Sequence, residues 1–119
     1  MGKKLQDFHA FRERMNERIL ERGTLDTKRF WQLDGAVYRD GALPAKTKEM
    51  LGLVASMVLR CNDCISYHVI ECRKHGVTEE EFAEVFDVSL IVGGSIVIPH
   101  LRHARDLLDE VLAEESGKK

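Results

Sequence analysis

Residues 49–72 read EMLGLVASMVLRCNDCISYHVIEC, and both the fold and the chemistry of the chain turn on that stretch. Met50, Leu51, Leu53, Val54, Ala55, Met57, Val58 and Leu59 cover most of the circumference of a helix. A helix apolar nearly all round is buried on several sides, which places this one at the centre of the fold. The pattern breaks at Arg60-Cys61-Asn62-Asp63, where Asn62 or Asp63 can cap a new helix. That helix runs through Ile65, Tyr67, His68, Val69 and Ile70 to His75 and stops at Gly76.

The same signals organise the rest of the chain. Phe8, Phe11, Met15, Ile19 and Leu20 recur at helical spacing, predicting an amphipathic first helix over roughly residues 4–22, closed by Gly23. Asp26 caps a second helix carrying Phe30, Trp31, Leu33, Ala36, Val37 and Tyr38, which ends at Asp40-Gly41. Pro44 supplies the fixed φ of a helix start, so the central helix begins at Ala45. Thr78-Glu79-Glu80-Glu81 is a capping box opening a fifth helix, with Phe82, Val85, Phe86, Ser89 and Leu90 on one side and Gly93-Gly94 at its end. A sixth starts after Ser95, tolerates Pro99 in its first turn, and shows Leu101, Ala104, Leu108 and Val111 as its stripe; residues 114–119 form a polar tail. No segment alternates with the period of a strand. The expected fold is all-α, a single six-helix domain over residues 1–119.

The totals narrow the function classes. With 44% apolar and 32% charged residues the chain reads as globular rather than disordered. A net charge of -2 argues against nucleic acid or an anionic membrane as partner. No uncharged run approaches the ~18–20 residues of a membrane span, and the charged start lacks the apolar core of a signal peptide. The expected location is cytoplasmic. Lasting structural disulfides are rare there, so a close cysteine pair points to catalysis or metal binding.

Cys61 and Cys64 stand three residues apart at a helix start, where both sulfurs can share one bond. Partial positive charge and free N–H groups at that end favour a thiolate, the species that attacks a peroxide or a disulfide. His68 follows Cys64 by four residues on the same helix face and can take the thiol proton directly or through one water. Asp63 acts the other way, since a neighbouring negative charge raises a thiol pKa. Packing is a rival reading, because free cysteine is often buried. Zinc is another: Cys61, Cys64, His68 and Cys72 offer ligands, but all on one helix, so His100 or His103 would have to join them. With Arg102 and Arg105 alongside, His100 and His103 read as a solvated or subunit-contact face, and Cys72 and His75 as structural.

The assembled pattern, Glu49, eleven residues, Cys61-x-x-Cys64, three residues, His68, resembles the carboxymuconolactone decarboxylase family and, within it, the alkyl hydroperoxidase D-like branch. Residues 40–49, DGALPAKTKE, and the Gly93-Gly94 junction belong to the same resemblance, which covers about residues 25–112 and leaves 1–24 as an N-terminal helix. The resemblance implies a helical oligomer, trimer or hexamer, with Glu49, Cys61, Cys64 and His68 as catalytic residues. Cys64 would attack peroxide and become a sulfenic acid, and Cys61 would close the disulfide. Glu49 and His68 would relay the proton. It implies no bound cofactor and an external dithiol reductant, such as protein-bound lipoamide, on a dithiol-carrying partner. Where alkyl hydroperoxidase D carries a histidine between its cysteines, this chain has Asp63. The expected function is thiol-dependent peroxide or disulfide reduction. The alternatives are a lactone decarboxylase of the name-giving branch, or a non-enzymatic redox sensor or metal-binding module.

Geometry sets one condition on this reading. In a simple antiparallel hairpin turning near Cys61, Glu49 lies about 17 Å and His68 about 10 Å from the turn, a mismatch of about 7 Å along the axis. The pair can meet only if the two helices cross or tilt.

Overall fold

The computed structural model describes residues 2–117. Six α-helices account for them: α1 (Lys3–Arg22), α2 (Leu25–Val37), α3 (Ala45–Val58), α4 (Asn62–Lys74), α5 (Glu79–Gly93) and α6 (Ile98–Gly117), with a 3-10 turn at Ser95–Val97 before the last. No strand occurs among the described residues. Of the polar tail read at 114–119, residues 118 and 119 lie outside the described part, and α6 continues to Gly117. No helix of the described residues is long and apolar enough to cross a membrane.

The helix ends follow local chemistry. Pro44 (φ -65°) precedes α3, and the Asp40 carboxylate accepts the Ala45 N–H at 2.6 Å. Thr78 and Glu81 form the reciprocal capping box of α5. Gly76 and Gly94 adopt φ of 86° and 82°, a region L side chains avoid. Two expected caps are corrected. Thr24, not Asp26, caps α2, because its hydroxyl accepts the Thr27 N–H while Asp26 lies within the first turn and pairs with Arg29 at 3.2 Å. Cys61, rather than Asn62 or Asp63, caps α4: its backbone is extended and its sulfur accepts the Cys64 N–H at 3.2 Å.

α3 packs on α4 and α5, α4 in turn packs on α6, and α1 lies on α6. The core runs through these contacts, with Leu53, Met57, Ile65, Val69, Phe82, Val97, Leu107 and Leu108 fully enclosed. α3 is central in its contacts but not covered all round: Leu51 and Leu59 remain 56% and 76% exposed. The expected stripes of the first two helices are also only partly used. Leu5 is the one buried residue of α1, and α2 has none.

Candidate redox site

Cys61 and Cys64 are joined by a disulfide, with Cα atoms 5.3 Å apart, across the first turn of α4. Cys64 is exposed and Cys61 half-buried. Because Cys61 occupies the N-cap, its sulfur lies among the free N–H groups of the helix start. Those groups, with the positive end of the helix dipole, stabilise negative charge on sulfur once the disulfide opens. Arg60, immediately before it, holds φ of 62°, and this left-handed residue turns the chain sharply from α3 into α4.

Glu49 and His68 meet. The His68 Nδ1 lies 2.7 Å from Glu49 Oε1, and both residues are buried. A carboxylate only accepts, so Nδ1 is the donor and the neutral ring carries its lone pair on Nε2. Nε2 makes no hydrogen bond among the described residues. Since no fully buried side-chain nitrogen or oxygen there lacks a partner, Nε2 must reach accessible space. The ring is further confined by Tyr38 and Tyr67, whose centroids lie 5.5 Å and 5.1 Å away. Arg12 of α1 stacks over Tyr67 at 4.5 Å. Burial raises the hydroxyl pKa of both tyrosines, with neighbouring carboxylates, Glu49 among them, adding to it, so both stay protonated phenols.

α3 and α4 approach closely where the pair meets, and Gly52 explains how. A Cβ at Gly52 would lie 2.6 Å from His68 Cε1 and 2.9 Å from both ring nitrogens. Only a bare backbone lets α3 approach the His68 ring on α4 this closely. Gly52 is the functional position that sequence reading passed over. Its signal was a glycine inside an otherwise strong helix, three residues after the buried acid.

Behind the pair opens a cleft of about 420 Å³, lined by Gly35, Tyr38, Asp40, Glu49, Tyr67 and Glu71 among others. Tyr67, His68 and Glu71 follow Cys64 along one face of α4, so cleft and cysteines share that face.

His100 and His103 are not simply a solvated face. His100 Nδ1 lies 2.7 Å from Asn62 Oδ1, and His103 Nε2 lies 2.7 Å from Ser66 Oγ, so α6 grips the first turns of the cysteine-bearing helix. Lys4 Nζ approaches His103 Nδ1 at 3.4 Å; an ammonium only donates, so Nε2–H is the donor toward Ser66. Burial, with Lys4 nearby, holds the His103 pKa below its ordinary value. Among the described residues, no three His, Cys, Asp or Glu side chains gather as a metal-holding group. Cys72 is fully buried away from the pair, and burial, helped by Glu49 and Glu71, pushes its thiol up to about 12. His75 bonds back to the Glu71 carbonyl at 2.9 Å.

Residues 27–110 match the carboxymuconolactone decarboxylase family. The chain belongs to that family. Two crystal structures of a Thermotoga maritima protein share 54% of their residues with it, at TM-scores of 0.91 and 0.88, covering 94% and 95% of this chain and 98% and 97% of theirs. A Legionella pneumophila carboxymuconolactone decarboxylase family protein, at 23% identity, has the same fold, with a TM-score of 0.84 over 92% of this chain and 97% of its own. Protein 4 of the Paracoccus denitrificans cox locus is 32% identical over 82 residues, 69% of this chain and 74% of its own length. A Cupriavidus necator protein is 34% identical over 59 residues, 50% of this chain, which thus spans about half (52%) of that relative. In this carboxymuconolactone decarboxylase, alkyl hydroperoxidase D-like fold, a close cysteine pair beside a buried Glu–His pair is consistent with a redox site.

Proposed function

We propose that the protein is a thiol-dependent peroxidase or disulfide reductase. The observation that carries this is the buried 2.7 Å contact between Glu49 and His68, with His68 one turn along the same helix face from Cys64 of the disulfide. In the reduced protein, His68 Nε2 takes the Cys64 thiol proton while Glu49 holds the opposite ring nitrogen and offsets the charge that develops. The Cys64 thiolate attacks a hydroperoxide: an S–O bond forms, the O–O bond breaks, Cys64 becomes a sulfenic acid, and the proton on His68 goes to the departing alkoxide. The Cys61 thiol then attacks that sulfur, forming the disulfide and releasing water. An external dithiol restores both thiols and is itself oxidised to a disulfide. The same thiolate can exchange with a disulfide substrate.

The N-cap position of Cys61 supports its part as the resolving thiol, since its thiolate is stabilised where it must attack. The Thermotoga relative has been linked, as a possibility, to an antioxidative response, which fits this reaction class. A reversible pair of this kind suits the reducing cytoplasm. We read the protein as a homo-oligomer, on the strength of aliphatic residues left bare on α3 and α5, including Leu51, Val88 and Ile91. The test is substitution of each cysteine. Cys64→Ser abolishes peroxide consumption, and Cys61→Ser leaves a sulfenic acid trapped on Cys64. Retained activity in Cys64→Ser ends the mechanism. A disulfide that forms once without dithiol-driven turnover makes the protein a sensor instead.

A further inference from the structure

The first turn of α4 is the least anchored part of the helix that carries the cysteines. Asn62, Asp63 and Cys64 are all exposed, and the first buried residue of α4 is Ile65. Helix ends without packing fray, because their first N–H groups have no partner inside the helix. In the oxidised protein the Cys61–Cys64 bond itself closes this turn. Once that bond opens, the two sulfurs stay together only if the chain on either side of them is held.

Cys61 is held from α3. Its N–H donates to the Ser56 carbonyl at 3.1 Å, and the left-handed Arg60 before it fixes the turn. The residues that follow are held from α6. His100, in the first turn of α6, places Nδ1 2.7 Å from Asn62 Oδ1. An amide oxygen only accepts, so the Nδ1–H donates. One turn further along both helices His103 reaches Ser66 at 2.7 Å, and Ser66 is buried, so water competes little for that bond. His103 is backed by Lys4, which pairs with Asp106 at 2.8 Å. Ala104, Leu107 and Leu108 root α6 in the core. Asn62 and Ser66 stand two residues to either side of Cys64, so the frame that α6 provides brackets that cysteine.

We propose that His100 is a positioning residue of the redox pair: by holding Asn62 it keeps the first turn of α4 closed in the dithiol state, so that Cys61 stays beside Cys64. It acts through Asn62, and its effect is on effective concentration. A closed turn favours the disulfide at equilibrium. It also speeds the attack of the Cys61 thiol on a sulfenic acid at Cys64, in which the S–S bond forms, the S–O bond breaks and the Cys61 proton leaves with the hydroxide as water. The proposal rests on the redox reading above in taking the pair to cycle between dithiol and disulfide.

The experiment equilibrates the full chain with reduced and oxidised glutathione and reads the disulfide fraction by alkylation. Wild type, His100→Ala, Asn62→Ala, the double variant and His100→Gln are compared. Asn62 is exposed, so Asn62→Ala removes the same bond without touching the core. One neutral hydrogen bond corresponds to roughly a 3- to 10-fold factor. Each single alanine variant should lower the disulfide equilibrium constant by that factor; a tenfold fall raises the reduction potential by about 30 mV. The double variant should lose no more than either single one, since all three lack the same bond. His100→Gln keeps an N–H for Asn62 and should recover most of the loss. After peroxide, the sulfenic acid on Cys64 should live longer in His100→Ala by a similar factor. An unchanged equilibrium constant in His100→Ala overturns the proposal. So do additive losses in the double variant, or a His100→Gln as impaired as His100→Ala. A wild type that forms no sulfenic acid with peroxide strikes the peroxidase reading alone, because the glutathione equilibrium still decides the role of His100.

Discussion

Gly52→Ala is the most informative single change. A methyl placed 2.6 Å from His68 Cε1 lies well inside the contact distance; carbon atoms rest at about 3.5–4.0 Å. The ring must therefore retreat by about 1 Å, or α3 must lift from α4 by as much. Either movement stretches the 2.7 Å bond to Glu49; at about 3.5 Å or more it leaves hydrogen-bonding range. Losing a bond to a charged group costs about 1.5–3 kcal/mol. Alanine in a helix interior returns about 1 kcal/mol relative to glycine. The net expectation is a loss of about 0.5–2 kcal/mol and a melting point lower by several degrees, where an unconstrained helical Gly→Ala would stabilise. Peroxide consumption should fall about 100-fold or more, the scale of losing a positioned general base. Thermal unfolding, peroxide turnover and the pH dependence of Cys64 alkylation in the reduced protein read the three effects. A variant more stable than wild type, with unchanged turnover and alkylation profile, refutes the reasoning.

Other outcomes follow from the same geometry. With its thiol pushed up to about 12 and fully buried, Cys72 should resist alkylation in native reduced protein at pH 8 while Cys61 and Cys64 react; a Cys72 that labels first contradicts its structural role. Glu81 accepts the Thr78 N–H and an ion pair from Lys46, which lower its carboxyl pKa in the folded chain. A lowered folded pKa contributes stability above the unfolded value that is lost as pH falls through the folded one. Acid should therefore lower the melting temperature less steeply in Glu81→Gln, and parallel curves would exclude the contribution. Glu49→Gln keeps an acceptor for His68 Nδ1 but removes the charge, so its turnover should lie between those of wild type and Glu49→Ala; equal losses in both variants would reduce Glu49 to a spacer.

Helix boundaries were legible because the residues that set them act locally. Pro44, the Thr78–Glu81 box and Gly93-Gly94 each impose their backbone geometry whatever surrounds them. The cysteine pair and His68 were legible for the same reason, as spacing on one helix. The meeting of Glu49 and His68 depends instead on how closely two helices approach, and the missing side chain at Gly52 leaves room for the His68 ring. A cap made by sulfur escaped the usual list of capping residues, so Cys61 was passed over for Asn62 and Asp63. His100 and His103 looked solvated because their partners, Asn62 and Ser66, lie 38 and 37 residues away in the chain. Periodicity showed that Phe30, Leu33 and Val37 share a face of α2. It carries no information on whether that face is covered by the same chain, and here it is not.

The most direct test of the redox account is mass mapping of the reduced protein before and after peroxide, with free thiols alkylated. All three cysteines fall in the tryptic peptide from Cys61 to Arg73, so fragment ions must assign them. The account predicts that peroxide removes two hydrogen atoms (two protons and two electrons) from this peptide as an internal Cys61–Cys64 bond forms, leaves Cys72 a thiol, and that a dithiol reverses the change. Cys61 and Cys64 alkylated equally before and after peroxide would contradict it.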